Sequence, residues 1–122
     1  MKKTLSLIPL LFLGITITAQ SKIDNIKKFY AKNSTAKTSR TVSYSKTSKV
    51  LNVDGYRIPL NRVSFYYSYN DEFYSYANHF VSVECIDDSS CIKFNGGSTR
   101  VFSLPINTKS NAQKFISMLE NL

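Results

Sequence analysis

Residues 62–69 read Arg-Val-Ser-Phe-Tyr-Tyr-Ser-Tyr, and this stretch decides the fold class. Apolar or aromatic side chains occupy every second position, at Val63, Phe65, Tyr67 and Tyr69. A period of two is typical of a β-strand with one buried face, since successive side chains point to opposite sides. Valine and aromatic residues also favour strands. The stretch therefore predicts a strand, and the eight Tyr and eight Phe of the 122-residue chain indicate more of them.

Short segments of the same kind flank this strand, and turn signals separate them. Asp54-Gly55 is the strongest turn signal, because both residue types tolerate the positive φ angles that a two-residue hairpin loop needs. Polar residues at 46–49, 87–89 and 95–98 predict further turns. The pattern therefore predicts six or seven short antiparallel strands. Besides residues 62–69, they cover residues 41–45, 50–53, 56–60, 79–85, 91–94 and 99–106.

A helix is predicted at each end of this strand region. Residues 21–32 form the first helix, with Ser21 as its side-chain cap and apolar residues at helical spacing. Residues 33–39 are small, polar and aperiodic, which indicates a linker. At the other end, Ser110 and Gln113 match a capping box, and an amphipathic helix follows them. We expect a mainly β (α+β) fold whose strands form a sheet or partly open barrel capped by the C-terminal helix.

This order of elements resembles the pleckstrin-homology-like barrel, in which about seven antiparallel strands precede a C-terminal amphipathic helix. The resemblance covers residues 40–122 and rests on architecture. The leading helix and the export signal described below are not usual for that family. In its lipid-binding members, basic residues around the first hairpin hold phosphate. The resemblance therefore implies an anion contact at Lys46 and Lys49, which occupy that place here.

The first twenty residues predict a secretory signal peptide. Lys2 and Lys3 provide the positive start, residues 5–15 form the apolar core, and Ala19 lies in the cleavage zone. A membrane anchor is the alternative, but Pro9 and an apolar centre shorter than ~20 residues disfavour it. The leader is typical of bacteria, so we expect a periplasmic or secreted product with no transmembrane segment after cleavage. The predicted domains are 1–20 (signal peptide), 21–39 (short helix and linker) and 40–122 (β domain).

Positive charge is concentrated near the start of the exported chain. Removal of Lys2 and Lys3 with the leader lowers the net charge from +8 to +6. Residues 21–49 hold eight basic residues and a single acid, Asp24, which gives this segment a net charge of +7. Such asymmetry indicates either attraction to an anionic surface or polymer, or a solvated segment that keeps a small protein soluble. The sequence leaves both interpretations open.

The two cysteines, Cys85 and Cys91, are predicted to form a disulfide, because an exported chain enters an oxidising compartment. If the flanking strands form a hairpin, the register matters. A hairpin with Cys85 opposite Cys91 suits the bond, whereas a shift by one residue places Val83 opposite Ile92 and suits a buried face better. That shift puts the cysteines on opposite faces, and a bulge in the turn would reconcile the two.

Residues 65–80 contain the most unusual composition, since eight of these sixteen residues are aromatic. Neighbouring strand residues face opposite sides, so they cannot all lie in one core. We expect some of these tyrosines at the surface, where a flat ring with a polar tip suits contacts with protein, glycan or a membrane surface. The alternative is that both faces are covered by other elements. The candidate contact residues are Tyr66, Tyr67, Tyr69, Tyr74 and Tyr76.

Catalytic and metal-binding patterns are weak. His79 is the single histidine, and its spacing to Cys85 and Cys91 does not match a zinc site. The acidic pairs at 71–72 and 87–88 fall in turn or strand-breaking segments, where such residues are expected anyway. We therefore predict no catalytic residue, no metal and no cofactor. The expected function is that of a non-enzymatic envelope or secreted module that binds an envelope protein, a glycan or an anionic surface rather than nucleic acid. The alternative is a small extracytoplasmic enzyme, hydrolase-like, whose site the sequence does not reveal.

Overall fold

The computed structural model describes residues 21–35, 41–70 and 78–122. In these ranges the chain forms eight β-strands and two helices, with the described part of α1 over residues 21–33. A short 3-10 helix, Leu60–Arg62, precedes β4, and α2 covers Lys109–Glu120. The strands are β1 Val42–Ser45, β2 Val50–Val53, β3 Tyr56–Pro59, β4 Val63–Tyr69, β5 His79–Cys85, β6 Ile92–Phe94, β7 Gly97–Thr99 and β8 Val101–Ile106.

The strands build two antiparallel sheets that do not close into a barrel. One sheet has five strands in the order β1-β2-β3-β6-β7, and the other has three in the order β4-β5-β8. The chain therefore changes sheet three times, after β3, after β5 and after β7. The predicted fold class, mainly β with a C-terminal helix and a short N-terminal helix, is confirmed.

The Asp54-Gly55 turn is confirmed as a two-residue hairpin loop. It joins β2 to β3 with Val53 opposite Tyr56, and both turn residues have positive φ, 50° at Asp54 and 89° at Gly55. The Asp54 carboxylate also accepts two hydrogen bonds, from the Thr41 N–H at 2.8 Å and from the Tyr30 hydroxyl at 2.9 Å. This turn therefore ties α1 to the five-stranded sheet.

The strands that flank residues 85–91 do not form a hairpin with each other. β5 pairs with β4 and β8, whereas β6 pairs with β3 and β7, so neither register considered from the sequence exists. Cys85 and Cys91 are nevertheless bonded to each other, with their Cα atoms 5.9 Å apart. The disulfide thus closes the crossover between the two sheets. The strands on either side of a crossover do not pair with each other. Strand register therefore does not restrict which faces the two bonded cysteines occupy.

Several boundaries also differ from the sequence analysis, among them the following two. Gly97 and Ser98, predicted as turn residues, belong to the short strand β7 that pairs with β6. The cap of α2 is Thr108 instead of Ser110, since the Thr108 hydroxyl accepts the Asn111 N–H at 3.1 Å. Thr108 has the extended backbone of an N-cap, with φ −141° and ψ 160°, and the helix therefore begins earlier.

The core lies between the inner faces of the two sheets and the two helices. Tyr56 of the five-stranded sheet stacks on Phe102 of the three-stranded sheet, with ring centroids 3.8 Å apart. Phe115 of α2 is fully buried and stacks on both Phe29 and Tyr30 of α1. Fully buried side chains of both sheets, such as Leu51 and Val81, complete this cluster. α2 and the five-stranded sheet therefore cover the inner face of the three-stranded sheet, and no described element is seen to pack on its other face.

The end of α1 is fixed to β8. Asn33, assigned to the linker from the sequence, is the last helical residue, and both Asn33 and Ser34 are buried. Ser34 forms an isolated bridge with Ile106, and the Asn107 N–H donates to the Asn33 carbonyl at 2.9 Å. Residues 36–39 of the linker predicted over 33–39 lie outside the described residues.

Candidate contact surface on strand β4

The outer face of the three-stranded sheet carries three rows of side chains, one residue from each strand. Strand register places Tyr66, Ser82 and Ser103 in the middle row. Above and below it lie Ser64, Glu84 and Val101, and Ser68, Phe80 and Pro105. Tyr66 has 41% of its surface exposed and Val101 has 40%. This face therefore presents a large exposed ring beside small hydroxyls.

A chain of serine hydroxyls crosses all three strands on this face. Ser68 Oγ lies 2.7 Å from Ser82 Oγ, which lies 3.2 Å from Ser103 Oγ. Ser82 is only 3% exposed on the central strand, and its two serine partners satisfy a hydroxyl whose burial would otherwise be costly. The hydroxyl chain therefore links the three strands on the face that carries Tyr66.

The outer edge of β4 has no strand partner among the described residues. The Ile86 N–H donates to the Arg62 carbonyl, and the Asn70 N–H donates to the Asn78 carbonyl. Both bonds join residues that lie directly opposite in the β4–β5 register, so the even-numbered residues of β4 bond to β5. The backbone groups of the odd-numbered residues therefore point away from β5. These are Val63, Phe65, Tyr67 and Tyr69.

The far end of β4 holds an aromatic cluster on the inner side. Tyr67 Oη lies 2.8 Å from His79 Nδ1, and the Tyr69 ring is tilted against the imidazole with centroids 5.2 Å apart. Lys109 of α2 places its Nζ 5.4 Å from the centre of the Tyr67 ring. Tyr69 is 55% exposed. The His79 imidazole therefore contacts the Tyr67 hydroxyl and the rings of Tyr67 and Tyr69. Among the described residues, no carboxylate or serine hydroxyl contacts it.

A groove of about 470 Å³ runs beside the other end of β4. Val63 and Phe65 of β4 line it together with Leu60, Leu119 and Leu122. Tyr44, Lys49, Asn61, Ser64 and Glu120 complete its wall. The groove therefore brings apolar side chains, together with polar and charged ones, next to the unpaired edge.

A second groove lies between α1 and α2 and is lined by lysines. Lys22 and Lys114 line a cavity of about 300 Å³, and Lys28, Lys32 and Lys114 line a neighbouring one of about 680 Å³. Phe29 forms part of the floor, and the Lys114 Nζ lies 5.6 Å from the centre of its ring. Among the described residues that line these cavities there is no carboxylate. Three of the eight basic residues of residues 21–49, Lys22, Lys28 and Lys32, therefore line this groove with Lys114 of α2.

The predicted contact residues lie in different places. Tyr66 and Tyr69 are exposed on opposite sides of β4, and Tyr67 is half-buried against His79. Tyr74 and Tyr76 lie outside the described residues. The predicted anion contacts, Lys46 and Lys49, are exposed in the turn between β1 and β2, and Lys49 also lines the groove beside β4.

Asp87 and Asp88, in the crossover after β5, form hydrogen bonds or ion pairs with neighbouring residues. The Ser89 hydroxyl donates to Asp87 Oδ1, and this bond, with the Ser89 N–H, holds the pKa of Asp87 below its ordinary value. Arg62, 3.3 Å from the same carboxylate, acts in the same direction. Arg100 pairs with Asp88 at 3.5 Å. In residues 21–35, 41–70 and 78–122 no group of three or more His, Cys, Asp or Glu side chains could hold a metal ion.

Comparison of the chain with protein-family models, with curated proteins and with solved structures finds no match. Neither described helix is long and apolar enough to span a membrane.

Sequence reasoning missed the unpaired edge of β4 and the grouping of Lys109 with Tyr67. The edge depends on strand order, which a single sequence does not contain. Lys109 could have been found as a basic residue at the start of an amphipathic helix, but its aromatic partner lies 42 positions earlier in the chain.

Proposed function

We propose that the protein is an exported, non-enzymatic binding module whose contact surface is strand β4. One observation carries the proposal: two tyrosines, 41% and 55% exposed, stand on a strand whose outer edge has no described partner. Exposed tyrosines combine a large apolar area with a polar tip and few rotatable bonds, and they are enriched in protein interfaces. Among the described residues the His79 imidazole contacts the Tyr67 hydroxyl and two tyrosine rings, and no carboxylate that would orient it as a base contacts it, which favours binding over hydrolysis.

Export is the second part of the proposal. The signal peptide predicted over residues 1–20 supports it, and the bonded Cys85–Cys91 pair is compatible with an oxidising compartment. Intact-mass measurement on protein from a native-like bacterial host tests this part. The mature chain is expected to begin between Gln20 and Lys22, and recovery of the full-length chain in the membrane fraction would contradict it.

The binding surface is tested by alanine substitution at Tyr66 and at Tyr69, with Val101→Ala as the control. Val101 has the same exposure as Tyr66 and lies on the same face, but on β8. Each tyrosine variant is expected to lose about fivefold or more in partner capture from envelope and secreted fractions, which corresponds to ~1 kcal/mol. Its free energy of unfolding should stay within ~1 kcal/mol of the wild type. Equal capture by all three variants would refute the surface.

The lysine groove supports a second candidate function, attachment to an anionic surface. Several lysines without a facing carboxylate attract anions, and each basic residue near an anionic membrane contributes about 1 kcal/mol. Lys114→Gln, with Lys93→Gln on the five-stranded sheet as control, should weaken sedimentation with vesicles of phosphatidylglycerol and phosphatidylcholine. Equal vesicle binding by both variants would contradict attachment through the lysine groove.

A further inference from the structure

We infer that a second copy of this chain occupies the open edge of β4, so that two three-stranded sheets join into one six-stranded sheet across a two-fold axis. The inference rests on the proposed function and names the partner of the same surface. The first step is the edge itself. Four residues of β4 direct their N–H and C=O groups away from β5, and such a row is a template for another strand.

The composition of β4 does not hinder its pairing with another strand. Its sequence, Val-Ser-Phe-Tyr-Tyr-Ser-Tyr, contains no charge, no proline and no glycine over seven residues. Exposed edges in monomeric proteins are ordinarily protected by charged residues, by proline or by a bulge. The sequence of β4 therefore lacks the charged residues and proline that usually keep an edge strand single.

The strand is complementary to itself in the antiparallel register that pairs all seven of its residues. With the two-fold axis at Tyr66, every outward-pointing residue meets an outward-pointing residue of the second copy, which gives about eight hydrogen bonds. Tyr66 then lies directly opposite Tyr66 of the second copy on the outer face. The remaining pairs are Val63 with Tyr69, Phe65 with Tyr67 and Ser64 with Ser68, and each occurs twice.

The groove beside β4 supplies a place for the most exposed ring. In this register Tyr69 of the second copy lies opposite Val63, on the side where Val63 and Phe65 line the cavity of about 470 Å³. Tyr69 is 55% exposed in the single chain. Each copy would therefore bury its Tyr69 in the groove of the other, as an isologous interface requires.

Sedimentation velocity over a range of concentrations tests the pairing. The wild type should dimerise, and Tyr66→Lys or Tyr66→Glu alone should weaken dimerisation by at least about tenfold, because each places like charges face to face. A mixture of the two variants should restore dimers, since opposite charges then meet. Val101→Lys, on the far strand of the same face, should leave dimerisation unchanged.

Cysteine cross-linking tests the register. Directly opposed, non-hydrogen-bonded residues lie about 4.5 Å apart at Cα, which is within the range of a disulfide. Tyr66→Cys alone should therefore cross-link on oxidation, and Ser64→Cys should do so only when mixed with Ser68→Cys. A wild type that stays monomeric at all concentrations overturns the inference, as does capture of a strand from a different protein at this edge. If the tyrosine variants still lose partner capture in that case, self-pairing fails while the proposed function stands.

Discussion

Reduction of the Cys85–Cys91 disulfide should lower the stability of the domain by about 2 kcal/mol. The bond closes a loop with a sequence separation of 6 across the junction of the two sheets. In the chain-entropy treatment, cross-linking over so short a loop removes about 7 cal/mol/K from the unfolded chain, or about 2 kcal/mol at 25 °C. For a domain of this size the loss corresponds to a melting temperature about 8–16 °C lower.

Thermal melts with and without a phosphine reductant measure this change. Before reduction, a thiol assay under denaturing conditions should find no free thiol, since both cysteines are bonded. The control is the Cys85→Ala/Cys91→Ala variant, whose melting temperature the reductant should not alter. Both sulfurs are buried, so this variant also loses packing and is compared only with itself. A shift below about 3 °C after complete release of two thiols would refute the reasoning.

Three further changes test the core, the turn and the crossover. Phe115→Ala should cost roughly 3–5 kcal/mol in urea unfolding, because the ring is fully buried between two aromatic rings of α1. Tyr30→Phe should cost about 1 kcal/mol in the same assay, because it removes the hydroxyl that donates to Asp54. Ser89→Ala should raise the pKa of Asp87 toward its ordinary value in a carboxyl NMR titration. Because the folded-state pKa lies below the unfolded value, the stabilisation is present above the unfolded pKa and is lost as pH falls through the folded pKa.

Local patterns in the sequence predicted the elements well. The alternation of residues 62–69, the Asp54-Gly55 turn and the apolar spacing of the last helix are short-range signals, and each corresponds to an observed element. The pairing of strands was predicted poorly, because β6 joins β3 and β7 through contacts that no local pattern encodes. For the same reason the cysteines suggested a hairpin, although they join two sheets.

The contact surface, like the fold, could be predicted from the sequence only in part. Alternation along β4 required that Tyr66 and Tyr67 face opposite sides, and one is exposed while the other is half-buried. The sequence could not show which side the helices cover, nor that β4 is an edge strand. The covered side depends on how α2 docks and the edge depends on strand order, and a single chain's pattern of apolar residues specifies neither.

Residue-resolved hydrogen exchange of β4 amides tests the central claim, that the outer edge of β4 is the open contact surface. In dilute protein the amides of Val63, Phe65, Tyr67 and Tyr69 should exchange much faster than those of Ser64, Tyr66 and Ser68, which bond to β5. The fast set should become protected when the partner strand binds or the concentration rises. Equal protection of both sets in dilute protein, unchanged by concentration or partner, would contradict the account.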